Sequence, residues 1–206
     1  MTQAWAMADV GSRAAKLQRV REPRVAPLNA FVDQLRIRRG GTIPYIDPDW
    51  GGVDATILFV LLRPGPRAAE SGLLSIENQD LTARYMLELL REAAIPIDAS
   101  AVWNIVPWYG PRSELVSSHH IAEGVLYLNE FMLLLPRLRS LVLIGRVAQS
   151  AELSLKMPSG VRVFRAPHTS PSNLHTNPGQ RDIVLRAYCD AWVYAGEVNK
   201  LQDLTK

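Results

Sequence analysis

The sequence predicts an α/β protein, a three-layer α/β/α sandwich around a central, mostly parallel four-stranded sheet. Short apolar segments alternate with segments in which apolar residues recur at helical spacing, which is typical of βαβ units with right-handed crossovers. The short segments are apolar at nearly every position, as expected for strands that are buried on both faces. With 206 residues, of which 48% are hydrophobic and 21% charged, the chain has enough apolar side chains for one sizeable core.

The individual elements follow from apolar spacing and from the residues that interrupt it. A helix is predicted over 27–39, where apolar residues including Ile37 recur at helical spacing before Gly40 and Gly41. The continuously apolar segment 55–62 is predicted to be the first strand, and a helix follows over 80–94. The remaining predicted strands are 101–106, 140–144 and 161–165, and the remaining helices are 121–135, 146 to about 155 and 181 to about 198.

Basic residues are concentrated near the start of the chain. Residues 1–40 contain eight Lys and Arg side chains against three Asp and Glu side chains, although the whole chain has a formal net charge of only +3. We therefore divide the chain into a basic N-terminal arm and helix, 1–40, and a main domain, 41–206. Such an arm is typical of binding to a polyanion such as DNA, but basic segments are also common as merely soluble parts of a protein.

Several classes of protein and site are disfavoured. The longest apolar runs, 55–62 and 131–135, are too short to cross a bilayer, and no secretory signal is recognisable. We therefore expect a cytoplasmic protein without membrane contact. We also expect a monomer. The single cysteine, Cys189, has no partner for a disulfide and no nearby ligand cluster, so we expect neither a metal nor a cofactor. The fingerprints of P-loop, dinucleotide-binding and nucleophile-elbow proteins are absent.

Two polar residues stand where a ligand site is expected, since open α/β sheets bind ligands outside the carboxyl ends of their strands. His168 follows the last predicted strand between two prolines. A fixed imidazole there suits donation to a leaving group or a developing anion, and a structural histidine in a rigid turn is the alternative. Asn104 lies in the second strand, where its amide suits either a base edge or a structural hydrogen bond to a neighbouring loop.

Together these motifs resemble those of the uracil-DNA glycosylase superfamily, in the same order and spacing from about residue 43 to 195. The turn LRPGP at 62–66 is similar to the family's first motif, and Asn104 matches its strand asparagine. The segment PHTSP at 167–171 resembles the family's His-Pro-Ser-Pro motif, with Thr169 in place of proline. The segment SLVLIGRVAQ at 140–149 resembles the strand, glycine and helix between them. A single cysteine excludes the four-cysteine iron-sulfur cluster of some branches.

The resemblance implies roles for individual residues. A base flipped out of DNA would be read by Asn104, while His168 stabilises the negative charge that grows on the departing base. Ser170 and backbone N–H groups near Pro64 and Gly65 would hold flanking phosphates. Leu174 or His175 stands where the family inserts an apolar wedge into the base stack.

The sequence also departs from the family's pattern. Arg63 occupies the first motif, where most active relatives have an acidic or amide residue that positions water. Three residues in the following loop are candidate water partners instead: Asp80, Glu77 and Asn78. The aromatic residue on which relatives stack the base is missing, with Leu73 or Leu74 near its position. We expect Trp108 to line the pocket, because Pro107 ends the strand just before it.

The leading hypothesis is a metal-free, monofunctional DNA glycosylase acting on uracil or a related deaminated base. His168 and Asn104 favour it. Arg63 favours the alternative, a catalytically weak or inactive glycosylase-like module that binds DNA. A third interpretation is a small-molecule hydrolase or nucleoside-binding protein that uses the same pocket without DNA.

Overall fold

The protein is built around a four-stranded, fully parallel sheet, as the sequence predicts. The computed structural model describes residues 5–110, 114–176 and 179–203. In sheet order the strands are β4 (Ser100–Asn104), β2 (Ile57–Leu61), β5 (Ser140–Ile144) and β6 (Arg162–Ala166). A separate two-stranded parallel sheet pairs β1 (Tyr45–Ile46) with β3 (Leu73–Leu74).

Eight α-helices surround and connect these strands in the described part of the chain. They are α1 (Val10–Gln18), α2 (Ala26–Arg39), α3 (Pro66–Ser71), α4 (Leu81–Glu92), α5 (Ser118–Leu133), α6 (Arg146–Ser150), α7 (Pro171–Thr176) and α8 (Gln180–Asp203). None of the helices in these ranges combines the length and apolar composition that crossing a bilayer demands.

Aromatic packing shows how the helices form a layer on each face of the sheet. On one face Trp103 of β4 stacks on Phe131 of α5, with ring centroids 4.1 Å apart, and both lie 6.1 Å from Phe31 of α2. On the other face Phe59 of β2 lies 4.7 Å from Tyr188 of α8, and α8 also contacts α4. The architecture is therefore the predicted α/β/α sandwich.

The predicted element boundaries are correct at β5 and need adjustment elsewhere. The predicted first strand is shorter, and the helix after β5 ends at Ser150 because a 3-10 turn, Glu152–Ser154, follows it. Ile37, predicted on the buried face of α2, is 85% exposed. The structure also contains four features that the sequence does not predict: α1, α3, α7 and the small β1–β3 sheet. β1, β3, α3 and α7 have two to six residues each, too few for a periodic pattern to be recognised, and the nine residues of α1 contain only two large apolar side chains, Val10 and Leu17.

The described part of the N-terminal segment packs onto the rest of the protein. Lys16 of α1 is 8% exposed, and its ammonium lies within 2.9 Å of three carboxylates, those of Asp47, Asp49 and Glu77. Six of the eight basic side chains in residues 1–40 form ion pairs within the protein: Lys16, Arg19, Arg21, Arg36, Arg38 and Arg39. Most of this positive charge therefore already has a partner.

Candidate functional site

A cleft of about 450 Å³ opens at the carboxyl ends of the parallel strands. Its walls come from the end of β2 and the turn after it, from β4, from the segment between β3 and the first turns of α4, and from the loop after β6. From β2 the chain continues to β4 at one edge of the sheet, and later from β5 to β6 at the opposite edge. A crevice forms at such a reversal of strand order, so the cleft lies at the edge of the sheet where the sequence predicts a ligand site.

His168 lines this cleft as a neutral hydrogen-bond donor in a fixed orientation. The backbone N–H of Ser170 donates to its Nδ1 at 3.0 Å, so the neutral ring carries its proton on Nε2. Burial lowers the pKa of His168 below its usual 6.5, which favours the uncharged ring at neutral pH. The backbone of the loop is held in turn by Asn173, whose amide donates to the His168 carbonyl at 2.8 Å.

Gly145, at the end of β5, allows the ring to take this position. Its φ is +87°, a region that favours glycine, and an added Cβ would lie 3.2 Å from His168 Cδ2. The close approach of backbone to imidazole therefore needs a residue without a side chain. The turn after β5 and the loop after β6 together determine where His168 lies.

Asn104, the last residue of β4, lines the same cleft. It is 3% exposed, and its Oδ1 is buried with no hydrogen-bond partner among the described residues. An unpaired buried carbonyl costs free energy, typically about 1–3 kcal/mol, unless a ligand supplies the donor. In the part of the chain that the structure describes, no group of a neighbouring loop donates a hydrogen bond to this oxygen.

Asp80 lines the cleft and also begins α4. Its Oδ1 accepts a hydrogen bond from the Ala83 N–H at 2.8 Å, so the residue is the N-cap of the helix. Burial raises the pKa of Asp80 despite this backbone hydrogen bond. A partly buried carboxylate of raised pKa at a cleft is suited to accepting a proton from water.

Arg63 lines the cleft together with Pro64 and Gly65, in the turn after β2. Its guanidinium is directed toward the segment after β4. Nη1 donates to the Glu114 carbonyl at 3.2 Å and lies 3.7 Å from the Glu114 carboxylate. The positive charge of Arg63 is therefore partly compensated, which reduces its repulsion of other cations.

Several predicted site residues lie outside the cleft. Trp108 was predicted to line it, but this side chain is 3% exposed and packs under the Arg39 guanidinium, 3.4 Å from its ring centroid. Leu73 is fully buried against Met7 and Val20, and its neighbour Leu74 lines the cleft in its place. In a strand, successive side chains point to opposite faces, so only one of the two leucines of β3 can face the cleft.

Three further predicted positions have local structural contacts. The Ser170 hydroxyl lies 3.1 Å from that of Ser172, and Leu174 is half-buried against the main core. His175, the other wedge candidate, has a side chain outside those that the structure describes. Glu77, a candidate water partner, forms the buried ion pair with Lys16 at 2.7 Å.

Sequence reasoning underrated the segment between β3 and α4. Asn78, predicted only as a candidate water partner, lines the cleft at 2% exposure together with Ser75 of the same segment. Trp50 and Arg67 line the cleft from other parts of the chain. No periodic pattern marks this irregular segment, and it is led to the cleft by β3, which comes just before it and pairs with β1. Asn78 stands between Glu77 and Gln79, so its sequence surroundings do not mark it as buried.

In sum, the cleft offers a donor on His168, a buried acceptor on Asn104 and a carboxylate on Asp80. No group of three or more His, Cys, Asp or Glu side chains suited to a metal ion occurs among the described residues.

Comparison with known proteins adds no family assignment, since neither a protein-family model nor a curated protein matches the chain.

Proposed function

We propose that the protein is a DNA glycosylase that hydrolyses the N-glycosidic bond of uracil or a related deaminated base. One observation carries the proposal: the unpaired, buried Asn104 amide oxygen and the fixed His168 donor line one cleft. A pyrimidine edge presents an N–H group beside carbonyl oxygens, which matches an acceptor and a donor in one pocket. The motif resemblance assigns the same two residues to base reading and to stabilisation of the departing base.

The chemistry divides between three side chains. As the glycosidic bond breaks, its electron pair moves onto the base, and His168 Nε2–H donates a hydrogen bond to the base oxygen on which charge accumulates. Asn104 Oδ1 accepts the base N–H and so selects the ring. Water adds to the sugar carbon, and Asp80 takes the proton that this water loses. The raised pKa of Asp80 makes it a stronger base than an exposed carboxylate.

A catalytically weak or inactive glycosylase-like module is the second candidate. The observation that favours it is the local role of Asp80, whose Oδ1 is engaged in capping α4. The paired basic residues of the N-terminal segment argue against a DNA-binding role that depends on free positive charge there. A measurement of excision activity therefore distinguishes the active glycosylase from the inactive module.

The test is excision from labelled oligonucleotides that carry uracil in a single strand, opposite G, or opposite A, read as strand cleavage after alkali. We expect His168→Ala to lower the rate by about 10²-fold or more, because it removes a donor to the developing anion. Asn104→Ala is expected to raise KM with little change in kcat, since the amide oxygen contacts the base equally in the ground state and in the transition state.

The matched controls are His119→Ala, an exposed histidine of α5, and Asn129→Ala, an asparagine outside the cleft. Both controls are expected to cleave as the unaltered protein does. Excision that survives His168→Ala unchanged contradicts the assigned mechanism. Absence of excision with retained DNA binding supports the inactive module.

A further inference from the structure

One wall of the cleft is made of two segments that are separated in the chain. Residues 47–50 contribute Trp50, and residues 74–80 contribute Asp80. At the cleft the two segments contact each other directly, since Trp50 Nε1 donates to the Leu74 carbonyl at 2.8 Å. A wall built in this way keeps its shape only while both segments stay together.

Lys16 joins the same two segments from outside the cleft. Its ammonium lies 2.8 Å from the Asp47 carboxylate and 2.7 Å from the Glu77 carboxylate, one in each segment. Asp47 and Glu77 are 2% and 5% exposed, so both charges are buried. Asp49 also lies 2.9 Å from the ammonium, but it has a second counter-charge in Arg19. Neither Lys16 nor these carboxylates line the cleft.

The Glu77 end of this contact is connected to Asp80 by a short, hydrogen-bonded stretch of backbone. The Met7 N–H donates to the Glu77 carbonyl at 3.1 Å, so the N-terminal segment holds Glu77 by its main chain as well. The Asp80 N–H donates to the Asn78 carbonyl at 2.8 Å, which makes a tight turn between Glu77 and Asp80. A displacement of Glu77 is therefore transmitted to Asp80.

The Lys16 ammonium also separates like charges. The carboxylates of Asp47 and Glu77 are directed at the position that it occupies, so without it they face each other. Repulsion between like charges is stronger in a buried place than in water, and removing one partner of a buried ion pair is strongly destabilising. Loss of the ammonium therefore pushes the two wall segments apart.

We propose that Lys16 is a positioning residue of the cleft, which holds Asp47 and Glu77 together and so fixes the wall that carries Asp80. Its effect on hydrolysis rests on the proposed glycosylase function, in which Asp80 takes the proton from water. A misplacement of about 1 Å, caused by a change far from the reacting atoms, costs as much as 10²-fold in rate. Lys16 acts in this way without lining the cleft.

The first test needs no activity. Amide hydrogen exchange is compared between the unaltered protein and Lys16→Met, at a temperature at which circular dichroism shows both to be folded. We expect the amides of residues 74–80 and of Met7 to exchange about tenfold faster or more in the variant, because the wall opens more often.

The second test is excision of uracil under the same conditions. We expect Lys16→Met to lower kcat by about tenfold or more with little change in KM, because the Asp80 carboxylate acts on water in the transition state. Asn104, which reads the base, belongs to the central sheet and keeps its position. This result is the opposite of that expected for Asn104→Ala, which raises KM.

A double variant, Lys16→Met with Glu77→Gln, tests the cause. The neutral amide keeps the shape of Glu77 and removes one of the two like charges, so we expect it to recover most of the lost kcat and the slow exchange. Such coupling between residues in contact is what a double-mutant cycle measures. The matched control, Arg38→Met, breaks an exposed ion pair with Glu130 and is expected to change neither readout.

The remaining outcomes separate this inference from the proposed function. Unchanged exchange of residues 74–80 in Lys16→Met overturns the positioning role. A loss of kcat that Glu77→Gln does not restore also overturns it, because the loss then has another cause than repulsion within the wall. If the unaltered protein removes no uracil, the glycosylase function fails, and hydrogen exchange alone decides whether Lys16 holds the wall.

Discussion

Replacement of Lys16 by methionine tests the buried ion cluster that attaches α1 to the cleft wall. The ammonium lies 2.8 Å from Asp47, 2.9 Å from Asp49 and 2.7 Å from Glu77, and Asp47 and Glu77 are 2% and 5% exposed. Burial by itself lowers the pKa of Lys16, but the carboxylates outweigh it and the pKa is raised. The cluster therefore stabilises the charged form of Lys16.

Methionine preserves much of the apolar stem and removes the charge, so nearby buried carboxylates lose this counter-charge. Removing one partner of a buried ion pair costs about 3–5 kcal/mol. For a chain of this length the loss lowers Tm by roughly 6–20 °C. Thermal unfolding followed by circular dichroism measures it.

The matched control is Arg181→Met, which breaks an ion pair between α8 and α4 whose side chains are 43% and 42% exposed. Exposed pairs contribute about 0–1 kcal/mol, so its Tm is expected to change little. If Lys16→Met lowers Tm no more than Arg181→Met does, the cluster does not hold α1 in place and our reasoning about the cleft wall fails.

Two further predictions concern His168. Gly145→Ala is expected to destabilise the fold by about 1–3 kcal/mol and to reduce excision, because φ is +87° and the new Cβ would lie 3.2 Å from the His168 ring. A variant with the Tm and kcat/KM of the unaltered protein would contradict this prediction. Because burial lowers the pKa of His168, its contribution to stability is complete above about pH 6.5 and is lost as the pH falls toward the lowered folded value. Urea unfolding between pH 5 and 8 is expected to show this loss in the unaltered protein and not in His168→Asn.

The position of the cleft could be predicted because it depends on local patterns and one rule of topology. Apolar runs locate the strands, and parallel strands place their carboxyl ends along one edge. His168 and Asn104 stand at or near such ends, so their meeting in one cleft follows from the order of elements. Arg63 follows a strand end for the same reason, although the sequence does not show that its guanidinium contacts Glu114.

The sequence by itself determined the α/β/α architecture, because periodicity reports which face of an element is buried, and it placed His168 and Asn104 at the strand ends that border the cleft. The tertiary structure decided the rest. Lys16 and Glu77 are far apart in the chain, and only the folded packing shows that Lys16 is buried among carboxylates instead of free to meet DNA. The choice between Leu73 and Leu74, and the presentation of Asn78, depend on the pairing of two-residue strands, which are too short to leave a periodic pattern.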